Sequence, residues 1–193
     1  RTEQVSVILG PGVNIKRHPL GGRNFEYFSE DPFLTGKLAS GLIEGIQSEG
    51  IGTSIKHFAV NNHETGRMVV DAIVDERTLR EIYLPGFEIP IKESQPWTVM
   101  CSYNKVDGTY LSENHRLLTE ILRDEWGFDG IVMTDWGATN QRIEGIKAGL
   151  DLEMPASGRL NTDRIIKAVQ SGELSYDKLD ACVTRLLALI IKS

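Results

Sequence analysis

The sequence predicts an α/β protein with a parallel sheet, and in particular a (β/α)8 TIM-like barrel that is incomplete because its first strand and helix portion is absent. Strand-like apolar runs alternate with amphipathic helical stretches along the 193 residues. The first run is followed by Gly10-Pro11-Gly12, which is not the Gly-rich phosphate loop that opens a doubly wound nucleotide-binding fold. The chain is also shorter than the ~250 residues typical of a complete barrel.

Five short strands are predicted, at residues 5–9, 52–60, 98–103, 130–134 and 149–154. The run at 130–134 is continuous and apolar, which is typical of a strand buried on both faces of a parallel sheet. Polar residues follow several of these strands, as Lys56-His57, Ser102-Tyr103-Asn104 and Asp135-Trp136. Because a barrel builds its active site from the carboxyl ends of different strands, this distribution favours the barrel over the doubly wound sheet.

The first helix is predicted to start at Asp31-Pro32, since Asp is a preferred N-cap and Pro suits the first helical position. Gly50 ends this helix in the position where a left-handed residue is least costly for glycine. Four apolar residues line one face of it: Leu34, Leu38, Leu42 and Ile46.

Three further helical stretches are predicted. Residues 75–94 have a helical pattern that Pro85 and Pro90 break or kink, and the helix at 116–126 stops at Gly127. Ser175 caps the helix at the end of the sequence. The apolar residues of that helix follow 3-and-4 spacing: Leu179, Cys182, Val183, Leu186, Leu187 and Ile190.

Composition excludes several classes of function. The net charge of −6 has the wrong sign for a protein that binds mainly phosphates, so we expect no nucleic acid partner. The longest apolar run, at 186–191, is far shorter than the ~20 residues of a membrane span, so we expect no membrane partner either. Because the sequence lacks an initiator Met and begins almost directly on a strand-like run, we expect the natural chain to extend upstream.

Asp135 and Trp136 form the first candidate site. A carboxylate after the apolar run at 130–134 is held on a rigid strand tip, and an adjacent indole packs well on the apolar face of a sugar ring. In the alternative interpretation, Asp135 is the N-cap of a helix at 140–149 and Trp136 belongs to the core.

Lys56 and His57 are adjacent at the end of the second strand, where their donors suit sugar hydroxyls. The alternative is a solvated Lys56 and a hydrogen-bonded core His57. A metal site of His57, His63 and Asp135 is a further hypothesis, which the six-residue spacing of the two histidines and the lack of a helical H-x-x-x-H pattern disfavour.

Arg23 and Arg67 lie in loops rich in Gly, Asn and Glu. Glycine lets the backbone and a guanidinium approach a ligand closely, and the guanidinium fork binds vicinal hydroxyls or braces a carboxylate. The alternative is that both arginines are solvated.

In chain order, four motifs together resemble family 3 glycoside hydrolases, in the β-glucosidase branch. The motifs are Gly-Gly-Arg-Asn-Phe-Glu-Tyr-Phe-Ser-Glu-Asp-Pro at 21–32, Lys-His-Phe at 56–58 with the loop 61–67, Met-Cys-Ser-Tyr-Asn at 100–104, and Val-Met-Thr-Asp-Trp-Gly at 132–137. The resemblance runs from about residue 5 to residue 155. It implies that residues 1–193 are most of an N-terminal TIM-like barrel domain, ending in a helix that leads toward an absent C-terminal α/β domain.

The same resemblance implies a retaining, exo-acting β-glycosidase that hydrolyses terminal β-D-sugars through a covalent glycosyl-aspartate intermediate, without a cofactor or metal. By motif match, Asp135 resembles the nucleophile, Tyr103 the tyrosine near it and Trp136 the aromatic wall of the site. The sugar in the −1 subsite is then held by Arg23, Lys56, His57 and Arg67.

Two parts of the family pattern are missing. A further sugar-binding Asp lies upstream in the family, and the acid/base Glu usually comes from the downstream α/β domain, so we expect that domain as a partner of this chain. Glu64 and Glu153 do not match the position of the acid/base. Two other functions stay open: a carbohydrate-binding chain without turnover, and a metal-dependent hydrolase that uses His57, His63 and Asp135.

Overall fold

The computed structural model describes residues 4–193. Its strands are β1 (Val7–Ile8), β2 (Gly52–Phe58), β3 (Asp71–Ala72), β4 (Thr98–Cys101), β5 (Lys105–Val106), β6 (Thr109–Tyr110) and β7 (Ile131–Thr134). Its α-helices are α1 (Pro32–Ser48), α2 (Glu76–Thr78), α3 (Pro85–Ser94), α4 (Arg142–Ala148), α5 (Arg159–Ser171) and α6 (Tyr176–Lys192), and two π-helices cover Leu79–Tyr83 and Arg116–Glu125. No helix in this part of the chain has the length and apolar character that a membrane span requires.

The main sheet has the strand order β1-β2-β4-β7, and every neighbouring pair is parallel, as the sequence predicts. Side chains from matched rows alternate between its two faces. Ile55, Val99 and Val132 form one row, and they pack with the helices in the main core. The next row, Lys56, Met100 and Met133, points to the opposite face.

That opposite face is partly covered by α6. Leu186 and Leu189 of this helix pack against Met100 and Met133. The described residues therefore form an open arc of a barrel, with helices outside the strands and α6 lying against their other face.

Helix α1 begins as predicted. The Asp31 side chain accepts hydrogen bonds from the backbone N–H groups of Phe33 and Leu34, and Gly50 follows the helix with φ 72°. In an ordinary amphipathic helix the apolar face is buried, but in α1 most of the predicted apolar face is exposed. Leu34, Leu38 and Leu42 are 46%, 46% and 44% exposed and thus lie on the outer side of the helix.

The packed face of α1 consists of small side chains. It buries Gly36, Ala39 and Ser40 together with Ile43. A Cβ added at Gly36 would lie 2.8 Å from Ile89 of α3, which is closer than two carbon atoms can pack. The close approach of α1 and α3 thus requires small residues at this face, and the leucines are left outside.

The other predicted helices are present with different detail. The stretch 75–94 is broken into α2, a π-helix and α3, with Pro85 at the start of α3 and Pro90 inside it. The helix at 116–126 is a π-helix that ends before Gly127 at φ 72°. Ser175 caps α6 by accepting from the Lys178 N–H. Helix α5 is an addition to the predicted elements.

Two strand predictions are corrected. The strand expected at 149–154 is reduced to one parallel bridge between Leu152 and Met133. The Asp151 and Leu152 N–H groups both donate to the Val132 carbonyl of β7, whereas the Met154 carbonyl already accepts from the Gly137 N–H in the loop after β7. The strand expected at 5–9 is limited to Val7–Ile8. A small second sheet, β3-β5-β6, also forms beside the loop that follows β2.

Asp151 anchors the sheet to the C-terminal helix. Its side chain is fully buried. One oxygen, Oδ2, accepts from Arg123 Nη2 at 2.8 Å and from the backbone N–H of Val132 at 2.8 Å. The other, Oδ1, lies 2.7 Å from Nη2 of Arg185 in α6. This one carboxylate therefore connects β7, the second π-helix and α6.

Candidate active site

The candidate residues from distant parts of the sequence meet at one edge of the main sheet. Each follows a strand at its carboxyl end, where parallel strands bring their loops together. The loop after β1 carries Arg23, the end of β2 and its loop carry Lys56, His57 and Arg67, and the loops after β4 and β7 carry Tyr103, Asp135 and Trp136. Side-chain contacts arrange them in two neighbouring groups: Arg23 and Lys56 meet through Glu26, and the other five form a chain of contacts around Asp135.

Asp135 is held at the tip of β7. Its backbone N–H donates to the Cys101 carbonyl of β4 at 2.9 Å, and its Oδ1 accepts from the Trp136 N–H at 2.7 Å. The side chain is 14% exposed. Its second oxygen, Oδ2, has no hydrogen-bond partner among the described residues. It lies 3.6 Å from His57 Nε2, beyond hydrogen-bond distance.

The helix-capping alternative for Asp135 is wrong. Helix α4 begins at Arg142, and its N-cap residue is Gln141. The carboxylate instead bonds to the residue next to it and leaves one oxygen directed at His57. This oxygen is buried, and its lone pairs are not engaged by any donor of the described residues.

His57 is aimed at Asp135 by a bulge in β2. The register with β4 shifts between Lys56 and Phe58, which leaves His57 as the extra residue. Asn14 fixes its backbone on both sides, since Oδ1 accepts from the His57 N–H at 2.9 Å and Nδ2 donates to the His57 carbonyl at 3.0 Å. The ring Nδ1 lies 3.3 Å from the Tyr27 hydroxyl.

Burial first, and then the positive charges of Arg23, Lys56 and Arg67, lower the pKa of His57 to about 2. The imidazole is therefore neutral at any ordinary pH. Its contact with Asp135 is that of a neutral side chain beside a carboxylate. His57 is thus buried, as the core alternative expects, and also faces the candidate nucleophile.

Two side chains after β4 tie the loop of this strand to the end of β2. Ser102 Oγ and Asn104 Nδ2 both donate to the Ala59 carbonyl, at 3.1 Å and 3.2 Å. These bonds connect the loop after β4 to the end of β2, close to His57. Both side chains are buried.

Glu26 is a residue that the sequence analysis missed. One of its oxygens bonds to Arg23 Nε, and the other lies 3.3 Å from Lys56 Nζ. Burial alone would raise the pKa of the Glu26 carboxyl, but the hydrogen bond and charge of Arg23 and the charge of Lys56 outweigh burial and leave its pKa lowered. Neither cation is solvated as the alternatives assumed. A signal was present, because Glu26 follows Arg23 by three residues in the first motif.

Arg67 and Tyr103 form the other side of the cluster. The Arg67 guanidinium lies 4.7 Å from the centre of the Tyr103 ring and pairs with Glu64 at 2.9 Å. The Tyr103 hydroxyl donates to the Trp136 carbonyl at 2.8 Å. Burial and then the negative charge of Asp135 raise the pKa of Tyr103. This tyrosine thus braces the loop that carries Asp135.

Trp136 is 63% exposed. The alternative that places it in the core is therefore wrong. Its backbone is fixed by Asp135 and Tyr103, while the indole is open to solvent. An indole in this position offers an apolar face beside the carboxylate.

The described residues give no support to the metal alternative. His63 lies in a groove with Arg17 and Tyr83 rather than beside His57. Within residues 4–193, no group of three His, Cys, Asp or Glu side chains is close enough to hold a metal ion.

The fold and the cluster together define a class of protein. A barrel-type parallel sheet with a largely buried carboxylate at one strand end, near Arg, Lys, His and an exposed indole, is typical of glycoside hydrolase barrels.

The comparisons with known proteins identify the family. The sequence profile described as "Glycosyl hydrolase family 3 N terminal domain" matches residues 2–189, and the chain belongs to this family. It is 57% identical to thermostable beta-glucosidase B of Acetivibrio thermocellus, over 98% of the chain and 25% of that protein. It is also 56% identical to an exo-alpha-(1->6)-L-arabinopyranosidase of Bifidobacterium longum, over 99% of the chain and 25% of that protein.

The fold is shared with a solved structure. Beta-glucosidase 3B from Thermotoga neapolitana in complex with glucose matches with a TM-score of 0.93 and 52% identity, over 97% of this chain and 27% of that one. The chain thus spans about a quarter of the length of its relatives.

Proposed function

We propose that the protein containing this chain is a retaining, exo-acting β-glycosidase of the β-glucosidase type, with Asp135 as its nucleophile. The observation that carries the proposal is the Oδ2 of Asp135, which has no hydrogen-bond partner within residues 4–193 and lies 3.6 Å from the Nε2 of neutral His57. The names of the relatives and the glucose complex support a terminal pyranose as the substrate.

The side chains divide the work in the following way. Asp135 Oδ2 attacks the anomeric carbon and forms a C–O bond as the bond to the leaving oxygen breaks. Arg23, Lys56, His57 and Arg67 donate hydrogen bonds to the hydroxyls of the same sugar, which fixes its distance and orientation to the carboxylate. Water then hydrolyses the covalent intermediate and releases the sugar with its original anomeric configuration.

The leaving oxygen must receive a proton from a second carboxyl group, ~5–5.5 Å from the first in a retaining enzyme. The candidate acids of this chain are otherwise engaged. Glu64 pairs with Arg67, and Glu153 accepts from Ser157 and Asn161. We therefore assign the proton donor to a Glu of a downstream α/β domain, with residues 1–193 as most of the barrel domain.

Trapping of the intermediate tests the nucleophile. The protein that contains both domains is incubated with an aryl 2-fluoro-β-glucoside and digested for mass spectrometry, and we expect the label on the peptide with Asp135. Asp135→Ala should abolish hydrolysis of the aryl glucoside, and added azide should restore release of the aglycone with formation of the α-glucosyl azide. Full activity of Asp135→Ala would end the assignment.

The isolated 193-residue chain has a second candidate function, as a sugar-binding module without turnover. It contains the cluster of donors but, on this proposal, not the proton donor. We expect calorimetry to detect glucose binding to the chain while hydrolysis of the aryl glucoside stays weak or absent. Assays on aryl β-glucoside and aryl α-L-arabinopyranoside, with the chain and the two-domain protein side by side, separate the two functions and compare the sugars named for the relatives.

A further inference from the structure

Glu26 occupies a special position between two cationic side chains of the site. Among the described residues, the side-chain hydrogen bond of Arg23 and the side-chain ion pair of Lys56 both go to Glu26. The three side chains are all largely buried, with 18% or 19% of each exposed. A carboxylate that bridges two cations where solvent is largely excluded holds them more strongly than an ion pair on the surface does.

The bridge joins two separate parts of the chain. Arg23 and Glu26 belong to the loop after β1, where the Glu26 N–H also donates to the Arg23 carbonyl at 3.1 Å. Lys56 lies in β2, which is the next strand along the chain and pairs with β1 in the sheet. Glu26 thus fixes the loop against the strand, because its carboxylate restrains the Arg23 and Lys56 side chains, which would otherwise be free to rotate.

The bridge also leaves donors free. Arg23 uses only Nε toward Glu26, which leaves the four N–H groups on its two terminal nitrogens, and the Lys56 ammonium retains two of its three. Their positions are set by a carboxylate that contributes no donor itself. In addition, Glu26 offsets the repulsion between two of the three positive charges that converge near His57.

The geometry points to Glu26 as a positioning residue that sets sugar affinity and selectivity by holding Arg23 and Lys56 in their hydroxyl-binding orientation. It acts through these two side chains and not on the reacting atoms. This inference rests on the proposed glycosidase function of the cluster, and it concerns the binding of the terminal sugar rather than the chemistry at Asp135.

The test uses the two-domain protein with Glu26→Gln, which keeps the size of the side chain but removes its charge. We expect KM for the aryl glucoside and the inhibition constant of glucose to rise roughly 10- to 100-fold, since hydrogen bonds to charged groups are lost or weakened. The turnover number should change much less. Glu26→Asp should recover part of the loss. Glu93→Gln removes the charge of an exposed carboxylate that pairs with Lys37, and it serves as the matched control with unchanged kinetics.

A double-mutant cycle separates positioning from a general structural role. When Lys56 is replaced by Met, Glu26→Gln should raise the glucose inhibition constant by a smaller factor than in the parent protein, because one of its two cationic partners is gone and only Arg23 remains. Equal effects in both backgrounds, or a KM within about 3-fold of the parent value, would overturn the inference. The Asp135→Ala protein distinguishes this failure from failure of the proposed function, since only the latter is indicated by a fully active Asp135→Ala.

Discussion

Two aspartates attached to β7 show how the same side chain serves opposite purposes. Asp151 is fully buried, and both its oxygens accept hydrogen bonds from Arg123, Arg185 and the Val132 N–H. Asp135, at the tip of the same strand, has one oxygen bonded to its neighbour and one with no hydrogen-bond partner among the described residues.

The difference lies in the number of donors and not in burial alone. A carboxylate surrounded by guanidinium groups has its lone pairs engaged and holds elements together. A carboxylate beside a neutral imidazole retains a lone pair that is available for a substrate. We therefore expect substitution of Asp151 to change mainly the free energy of unfolding and substitution of Asp135 to change mainly the catalytic activity.

The largest expected effect is on activity at Asp135. In the two-domain protein, Asp135→Asn should lower kcat/KM by at least about 10³-fold, because an amide cannot act as the nucleophile. The free energy of unfolding should stay within about 1 kcal/mol of the parent, since the amide oxygen still accepts from the Trp136 N–H. Steady-state kinetics and urea denaturation on the same preparation test both statements.

The reciprocal variant is Asp151→Asn. It should lower the free energy of unfolding by about 3–5 kcal/mol, because Arg123 and Arg185 then lose the charge that compensates their burial. Kinetics measured well below the new unfolding midpoint should stay near the parent value per folded molecule. A variant as stable as the parent would remove the distinction between the two aspartates.

His57 should make stability depend on pH. Its folded pKa of about 2 lies below the ordinary value of 6.5, so between these values the unfolded chain binds more protons than the folded one. The free energy of unfolding therefore falls as the pH is lowered from 6.5 toward 2, by up to about 1.4 kcal/mol per pH unit from this group.

Denaturation midpoints at a series of pH values test this, with two histidine variants. His57→Gln should show a shallower loss of stability on acidification than the parent. His115→Gln, which removes an exposed histidine next to Glu120, should follow the parent curve. Parallel curves for all three proteins would contradict the assignment of a buried neutral imidazole.

The smallest effect is expected at the surface. Glu76 pairs with Arg80 at 2.9 Å and with Arg116, and Arg80 also pairs with Glu125. Like the Asp151 cluster, this network pairs a carboxylate with two arginines, but its members are exposed to solvent. Glu76→Gln should cost less than about 1 kcal/mol of unfolding free energy, and the cost should shrink further in 1 M salt, where the screening length is about 3 Å.

Local signals account for the parts of the fold that the sequence predicts well. The Asp31 cap, the glycines after the helices and the apolar run of β7 each depend on a few neighbouring residues. The orientation of α1 does not depend on neighbouring residues, because it is decided by the fit of Gly36 against Ile89, more than fifty residues away in sequence. The leucine pattern therefore predicts the helix but gives the wrong packed face.

The same limit applies to the site. The seven candidate residues can be identified from the sequence because each follows a strand or lies in a recognisable motif. The difference between Asp135 and Asp151 cannot be predicted in this way, since the two arginine partners of Asp151 lie 28 and 34 positions away in sequence. The role of Glu26 was hidden for a related reason, because only the structure brings Lys56 to its second oxygen.

The exposure of Trp136 has a practical consequence for spectroscopy. The chain has three tryptophans, of which Trp97 and Trp126 are 8% and 4% exposed and Trp136 is 63% exposed. A soluble quencher such as acrylamide should therefore reach chiefly the indole beside Asp135. Fluorescence quenching of the 193-residue chain then becomes an optical titration of ligand occupancy that requires no attached dye.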